Sequence, residues 1–168
     1  IDEKTSKISF VYASLKGIKG EENLLTLKFK ILDSASGIVK LNISGTIVDA
    51  TLDMNEIDAD FISGEIEVIS DTVETTTPEV TTAPEVTTTL STEATTNVSK
   101  NAEIKVEKTK GKVGDIVEVK VDIASIVEYG GIEAFLEYDR SKIEYQEELS
   151  EINAKIGENA MVKTLDKI

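Results

Sequence analysis

The chain has 168 residues, 32 acidic and 18 basic, for a net charge of −14. That balance argues against nucleic acid or an anionic membrane as partner, because both are bound through basic patches. Cysteine and histidine are absent, which excludes a disulfide framework and thiolate metal sites and removes the commonest general base and transition-metal ligand.

From the first residues the dominant signal has period two. Lys7–Ser14 places Ile8, Phe10 and Tyr12 on one face and Ser9, Val11 and Ala13 on the other. Leu24–Ile31 alternates Leu25, Leu27, Phe29 and Ile31 against Thr26, Lys28 and Lys30. Gly37–Ser44 turns Val39, Leu41 and Ile43 inward, with Lys40 and Asn42 outward, and Gly64–Ser70 repeats the pattern with Ile66 and Val68. Between them Asp53–Asp60 (DMNEIDAD) carries four carboxylates but lacks the glycine and late glutamate of an EF-hand loop. It reads as a strand edge or a solvated acidic loop.

Asp71–Val98 differs in kind. Twelve of its 28 residues are threonine, both prolines of the chain lie in it, and it has five acidic and no basic residues. Such a segment has too little apolar surface to offset its ordering entropy and reads as an extended spacer. Asn42-Ile43-Ser44 and Asn97-Val98-Ser99 fit the N-glycosylation sequon, although the threonine-rich stretch is the better candidate for O-glycosylation.

Alternation resumes at Ala102–Thr109 with Ile104 and Val106 and continues through Ile116–Ser125, Gly130–Asp139 and Lys142–Glu147. Gly111-Lys112, Gly114-Asp115, Gly130-Gly131 and Asp139-Arg140-Ser141 read as turns. Glu147–Ile156 has room for one or two helical turns. In the Gly130–Asp139 strand, Ile132, Ala134, Leu136 and Tyr138 point inward, leaving Glu133, Phe135 and Glu137 outward. A large apolar side chain such as Phe135 on a polar face is either an interface anchor or is covered by a loop of its own module.

Several short strands with alternating faces predict an antiparallel β-sandwich. Each flank of about 70 residues is marginal for an independent β-domain. The expected organisation is therefore an incomplete module at 1–70, a linker at 71–98 and a second incomplete module at 99–168. The two parts are expected to complete each other within one chain or between chains. Without tryptophan there is no aromatic sugar platform, no paired carboxylates stand out for glycoside hydrolysis, and no catalytic role is predicted. No apolar run approaches membrane-spanning length.

The segment Asn101–Tyr145 resembles the opening of a cohesin module: a first strand, the Gly111–Asp115 G-K-V-G-D turn, a valine-rich second strand, and the Gly131–Asp139 strand with its Ser-Lys-Ile continuation. Ile8–Ala13 and Asn23–Ile31 resemble the sixth and seventh strands of a cohesin. Phe61–Gly64 followed by Glu65–Val68 resembles its final turn and ninth strand. The two flanks thus look like the back half of one cohesin and the front half of the next.

The resemblance implies a nine-stranded jelly-roll β-sandwich and a non-catalytic role. It would bind calcium-loaded dockerin modules of cell-wall-degrading enzymes on an extracellular, secreted or surface-attached scaffoldin of a cellulosome. Calcium would belong to the dockerin, and no cofactor is implied for this chain. Carried over by register, the contact positions are Val11, Ala13, Ser14 and Gly17 on the sixth strand, Met54 and Glu56 near the eighth, and Glu133, Phe135 and Glu137 on the third. Ser14 departs from the acidic residue common in the family. Small outward residues such as Val11 and Ala13 equally permit close strand packing. A structural repeat of a stalk or adhesin is the alternative, and it would need only the fold.

Overall fold

A computed structural model describes residues 4–69 and 100–165; the spacer reading of 71–98 and the sequon at Asn97 lie outside them. Eleven strands form among the described residues: β1 (Thr5–Ile31), β2 (Gly37–Asp49), β3 (Glu56–Ile57), β4 (Ala59–Ile62), β5 (Gly64–Ile69), β6 (Ala102–Val106), β7 (Lys108–Lys112), β8 (Ile116–Asp139), β9 (Ile143–Tyr145), β10 (Glu151–Ile152) and β11 (Ala160–Leu165). Two long strands organise them. β1 and β8 run antiparallel from Thr5↔Asp139 to Lys30↔Ile116, with register shifts between Ala13 and Ile18, Ile18 and Gly20, and Asn23 and Leu25. Bulges of this kind bend a ladder and sharpen its twist, which lets one strand pair serve two layers.

The first layer runs β7-β5-β2-β8-β1-β11, using residues 130–139 of β8 and 5–13 of β1. The second runs β4-β6-β8-β1, using residues 116–125 and 20–31, and ends on β9 and β10. Between them lies a single core including Ile8, Phe10, Tyr12, Leu27, Phe29, Leu41, Ile47, Ile66, Ile104, Val119, Ile123, Tyr129 and Ile143. Phe29 meets Tyr138 edge-on at 5.3 Å between ring centres, and Tyr12 meets Tyr129 at 6.1 Å. Every inward residue predicted from the alternation is buried.

Several local expectations change in the structure. Gly130 and Gly131 make no turn but lie inside β8. A Cβ on Gly130 would stand 2.7 Å from the Ala50 Cα and 2.8 Å from the Ser14 oxygen, so glycine serves close backbone approach there. Gly111 likewise belongs to β7, and the chain reverses at Gly114, whose φ is +89°. Asp53–Asp60, read as a strand edge or an acidic loop, is in part each: a loop, β3 paired with β2, and the start of β4. The helical expectation over 147–156 reduces to one 3₁₀ turn at Glu147–Leu149, with a second at Gly157–Asn159.

The two described stretches complete each other within the chain. β1 has every ladder partner in the second stretch, and β4 and β5 form parallel ladders with β6 and β7. These two parallel pairings depart from the all-antiparallel expectation, and both occur where the stretches meet. Glu65 ties that seam. Its carboxylate lies 3.1 Å from Lys40 Nζ on β2 and 3.2 Å from Lys108 Nζ on β7.

The hydrogen bond from Lys40, then that from Lys108, holds the Glu65 carboxyl below its ordinary value. A carboxyl lowered by folding contributes stability above the unfolded-state value and loses it as pH falls through the folded one. Glu65→Gln should therefore destabilise the module at pH 7, and the difference from the wild type should shrink as pH falls below the ordinary glutamate range. Thermal melts of both chains across pH 2.5–7 measure the convergence; a pH-independent difference would contradict the assignment.

Candidate partner-binding face

The outer surface of the first layer is set by register. Thr46, Glu133, Val11 and Met161 form one row across β2, β8, β1 and β11. The next row is Ser44, Phe135, Ser9 and Lys163, and the following one Asn42, Glu137, Lys7 and Leu165. On the other side of the first row, Glu56, Val48, Gly131 and Ala13 align. Val11, Ala13, Glu56, Glu133, Phe135 and Glu137 thus share one sheet face although they come from sequence positions more than 100 apart.

Above the first row the face is hollowed into a depression of about 240 Å³. Its lining includes Val11, Ala13, Ser14, Leu15, Val48, Met54, Gly131 and Glu133. Gly17, Glu56, Phe135 and Glu137 are not part of that lining. Gly17 sits at the bulge, where a Cβ would stand 2.9 Å from the Cβ atoms of both Ala50 and Glu128. Ser14 accepts a hydrogen bond from the Lys16 amide at 3.1 Å.

Phe135 is half-buried, with Lys7 Nζ 5.2 Å above its ring centre. Lys7 also pairs with Glu137 at 2.8 Å. The covering group is therefore a neighbouring strand's lysine rather than a loop. Partly covered in this way, Phe135 is a smaller target than Met54, which is 57% exposed.

Met54 is presented by a loop built around Asp49. One Asp49 carboxylate oxygen accepts from the Thr51 hydroxyl at 2.6 Å and from the Thr51 and Asn55 amides at 3.1 Å each; the other accepts from Asn55 Nδ2 at 3.2 Å. The Thr51 hydroxyl is the main cause of the carboxyl lying below its ordinary value. So held, the loop keeps Met54 at a φ of +47°, a region that side chains other than asparagine, aspartate and glycine seldom adopt. Asp49→Ala should remove these four hydrogen bonds and release the loop. Proteolysis at residues 50–55 measures the release, and cleavage no faster than in the wild type would contradict it.

Several residues of the face were missed by sequence reasoning. Met161 is 61% exposed, and it sits opposite Val11 on an edge strand not recognised in the sequence, though Ala160–Leu165 does alternate. Asp49, Leu15 and Lys7 carried no local signal, because their roles depend on segments distant in sequence. On the second layer a larger open hollow of about 640 Å³ is lined by charged residues including Glu22, Glu103, Asp122 and Lys155. Four of its polar side chains are already paired, Lys155 with Glu22 at 2.6 Å and Asp122 with Asn23 at 2.9 Å. Among the described residues no cluster of acidic side chains is placed to hold a metal ion, and no helix is long and apolar enough to cross a membrane.

The family model described as cohesin domain matches residues 1–68 and 102–167. The chain belongs to the cohesin family. No curated protein and no solved structure matches it significantly. The β-sandwich of this cohesin agrees with the jelly-roll of the family. Cohesin domains are non-catalytic protein–protein interaction modules of cellulosome scaffoldins.

Proposed function

We propose that this cohesin binds a calcium-loaded dockerin module of a plant cell-wall-degrading enzyme and so serves as an extracellular anchoring point of a scaffoldin. The observation that carries the reading is the apolar depression at Val11, Ala13 and Met54, set on an open sheet face and bordered by Glu133. An interface needs a desolvatable apolar centre with a polar rim, and this face supplies both. Glu133 and Glu56 on the same face offer carboxylates to a partner with basic or hydroxyl-bearing residues, favouring encounter and register. Ser14, Gly17, Phe135 and Glu137 would form the margin. Residues 1–70 and 99–168 would be the back portion of one module and the front portion of the next, with 71–98 the connection between them.

A calorimetric titration of the chain against a panel of dockerin modules, with calcium and with a chelator, tests the proposal. Saturable binding to at least one calcium-loaded member, lost on chelation, is the expected outcome. No binding to any member would leave the fold serving a structural repeat instead.

A further inference from the structure

We propose that this chain exchanges its two stretches with a second copy of itself, giving a dimer in which each sandwich is built from both chains. The slot that receives the exchanged element lies between β8 and the edge strands β9, β10 and β11. It is filled by β1, which has no ladder partner in its own stretch. Phe29 of β1 is fully buried and packs against Tyr138 and Tyr145 of the other stretch. A second copy offers the same slot and the same strand, so exchange needs no new interface. The closed and exchanged forms then differ chiefly in how the stretches are connected, and the balance falls near the effective concentration of the intramolecular partner, about millimolar.

The fold also sets how long that connection must be. Parallel pairing places Ala102 beside Ala59 and Ile69 beside Lys112. The ends to be joined, Ile69 and Lys100, are thus separated by about the length of β6 and β7, ten residues or roughly 33 Å. Thirty residues connect them, reaching up to about 100 Å fully extended, so closure within one chain is unobstructed. A connection cut to four residues reaches only about 19 Å and forbids it. Two sandwiches lying antiparallel bring the end of β5 in one next to the start of β6 in the other, and a short connection then suffices. In such a dimer each first-layer face takes Val11 from one chain and Glu133 and Met161 from the other.

The test is the mass of the chain lacking 26 of residues 70–99, measured by light scattering at 10 μM, with circular dichroism to check folding. A folded dimer is expected, whereas the full chain at that concentration is a monomer. A folded monomer of the shortened chain would overturn the proposal. Should the shortened chain not fold, two differently charge-tagged versions of the full chain are unfolded, mixed at about 1 mM, refolded and separated by ion exchange. A mixed dimer supports exchange, and tagged monomers alone overturn it.

Discussion

Val11→Asp should weaken dockerin capture at least about 100-fold, close to 3 kcal/mol, while leaving the melting temperature nearly unchanged. Val11 stands mid-row between Glu133 and Met161, lines the depression, and is 37% exposed. In the free module the new carboxylate remains in water, and its cost is a like-charge cross-strand pair with Glu133, below about 1 kcal/mol. In the complex the same carboxylate is desolvated within an apolar contact without a partner, which is where truncation and charge-burial costs become large. Calorimetric titration and a thermal melt of the same sample separate the two effects. Binding within threefold of the wild type would show that the depression is not the contact centre. Phe135→Ser should behave differently, costing stability as well as affinity, because its ring packs under Lys7.

The largest stability effect is expected at Gly45. A Cβ there would lie 2.1 Å from the Glu133 carbonyl oxygen and 2.8 Å from the Ala134 Cα. Both are backbone atoms of the central strand, so no side-chain rotation relieves the clash, and β2 must separate from β8. Gly45→Val should destabilise by at least about 3 kcal/mol, lowering the melting temperature by roughly 10 °C. Because the clash falls between Thr46 and Ser44 of the binding rows, dockerin affinity should fall as well. Gly20→Ala provides the contrast: a Cβ there meets nothing within 4 Å, but the φ of +104° makes the residue strained, so its cost should be near 1 kcal/mol. Equal melting temperatures for Gly45→Val and the wild type would contradict the β2–β8 register.

Much of this fold is written in short-range alternation. Ile8, Phe10 and Tyr12, or Val39, Leu41 and Ile43, face the core because period two leaves them no other arrangement once one face is buried. The same pattern placed Glu133 and Phe135 outward. What alternation does not carry is continuity. Gly130-Gly131 and the Ser14–Asn23 stretch have the composition of turns, yet both lie inside long strands that bend between layers. Glycine at a turn and glycine under a crossing backbone look identical in sequence, and only the packing of Ala50 and Ser14 against Gly130 distinguishes them. Coverage is equally non-local. Lys7 reaches Phe135 across 128 positions, so a residue that reads as an exposed anchor becomes half-buried. The Asp49 loop was obscured because DMNEIDAD draws attention to its carboxylates, while the organising one lies just before it.

The most direct test of the central claim is a nitrogen-15 chemical-shift titration of the full chain with the unlabelled calcium-loaded dockerin that the panel identifies. The account predicts perturbations clustered on Val11, Ala13, Thr46, Met54, Glu133 and Met161, drawn from both stretches yet forming one patch. Perturbations centred instead on the second layer, at Thr26, Lys28, Glu118 and Lys120, would contradict it.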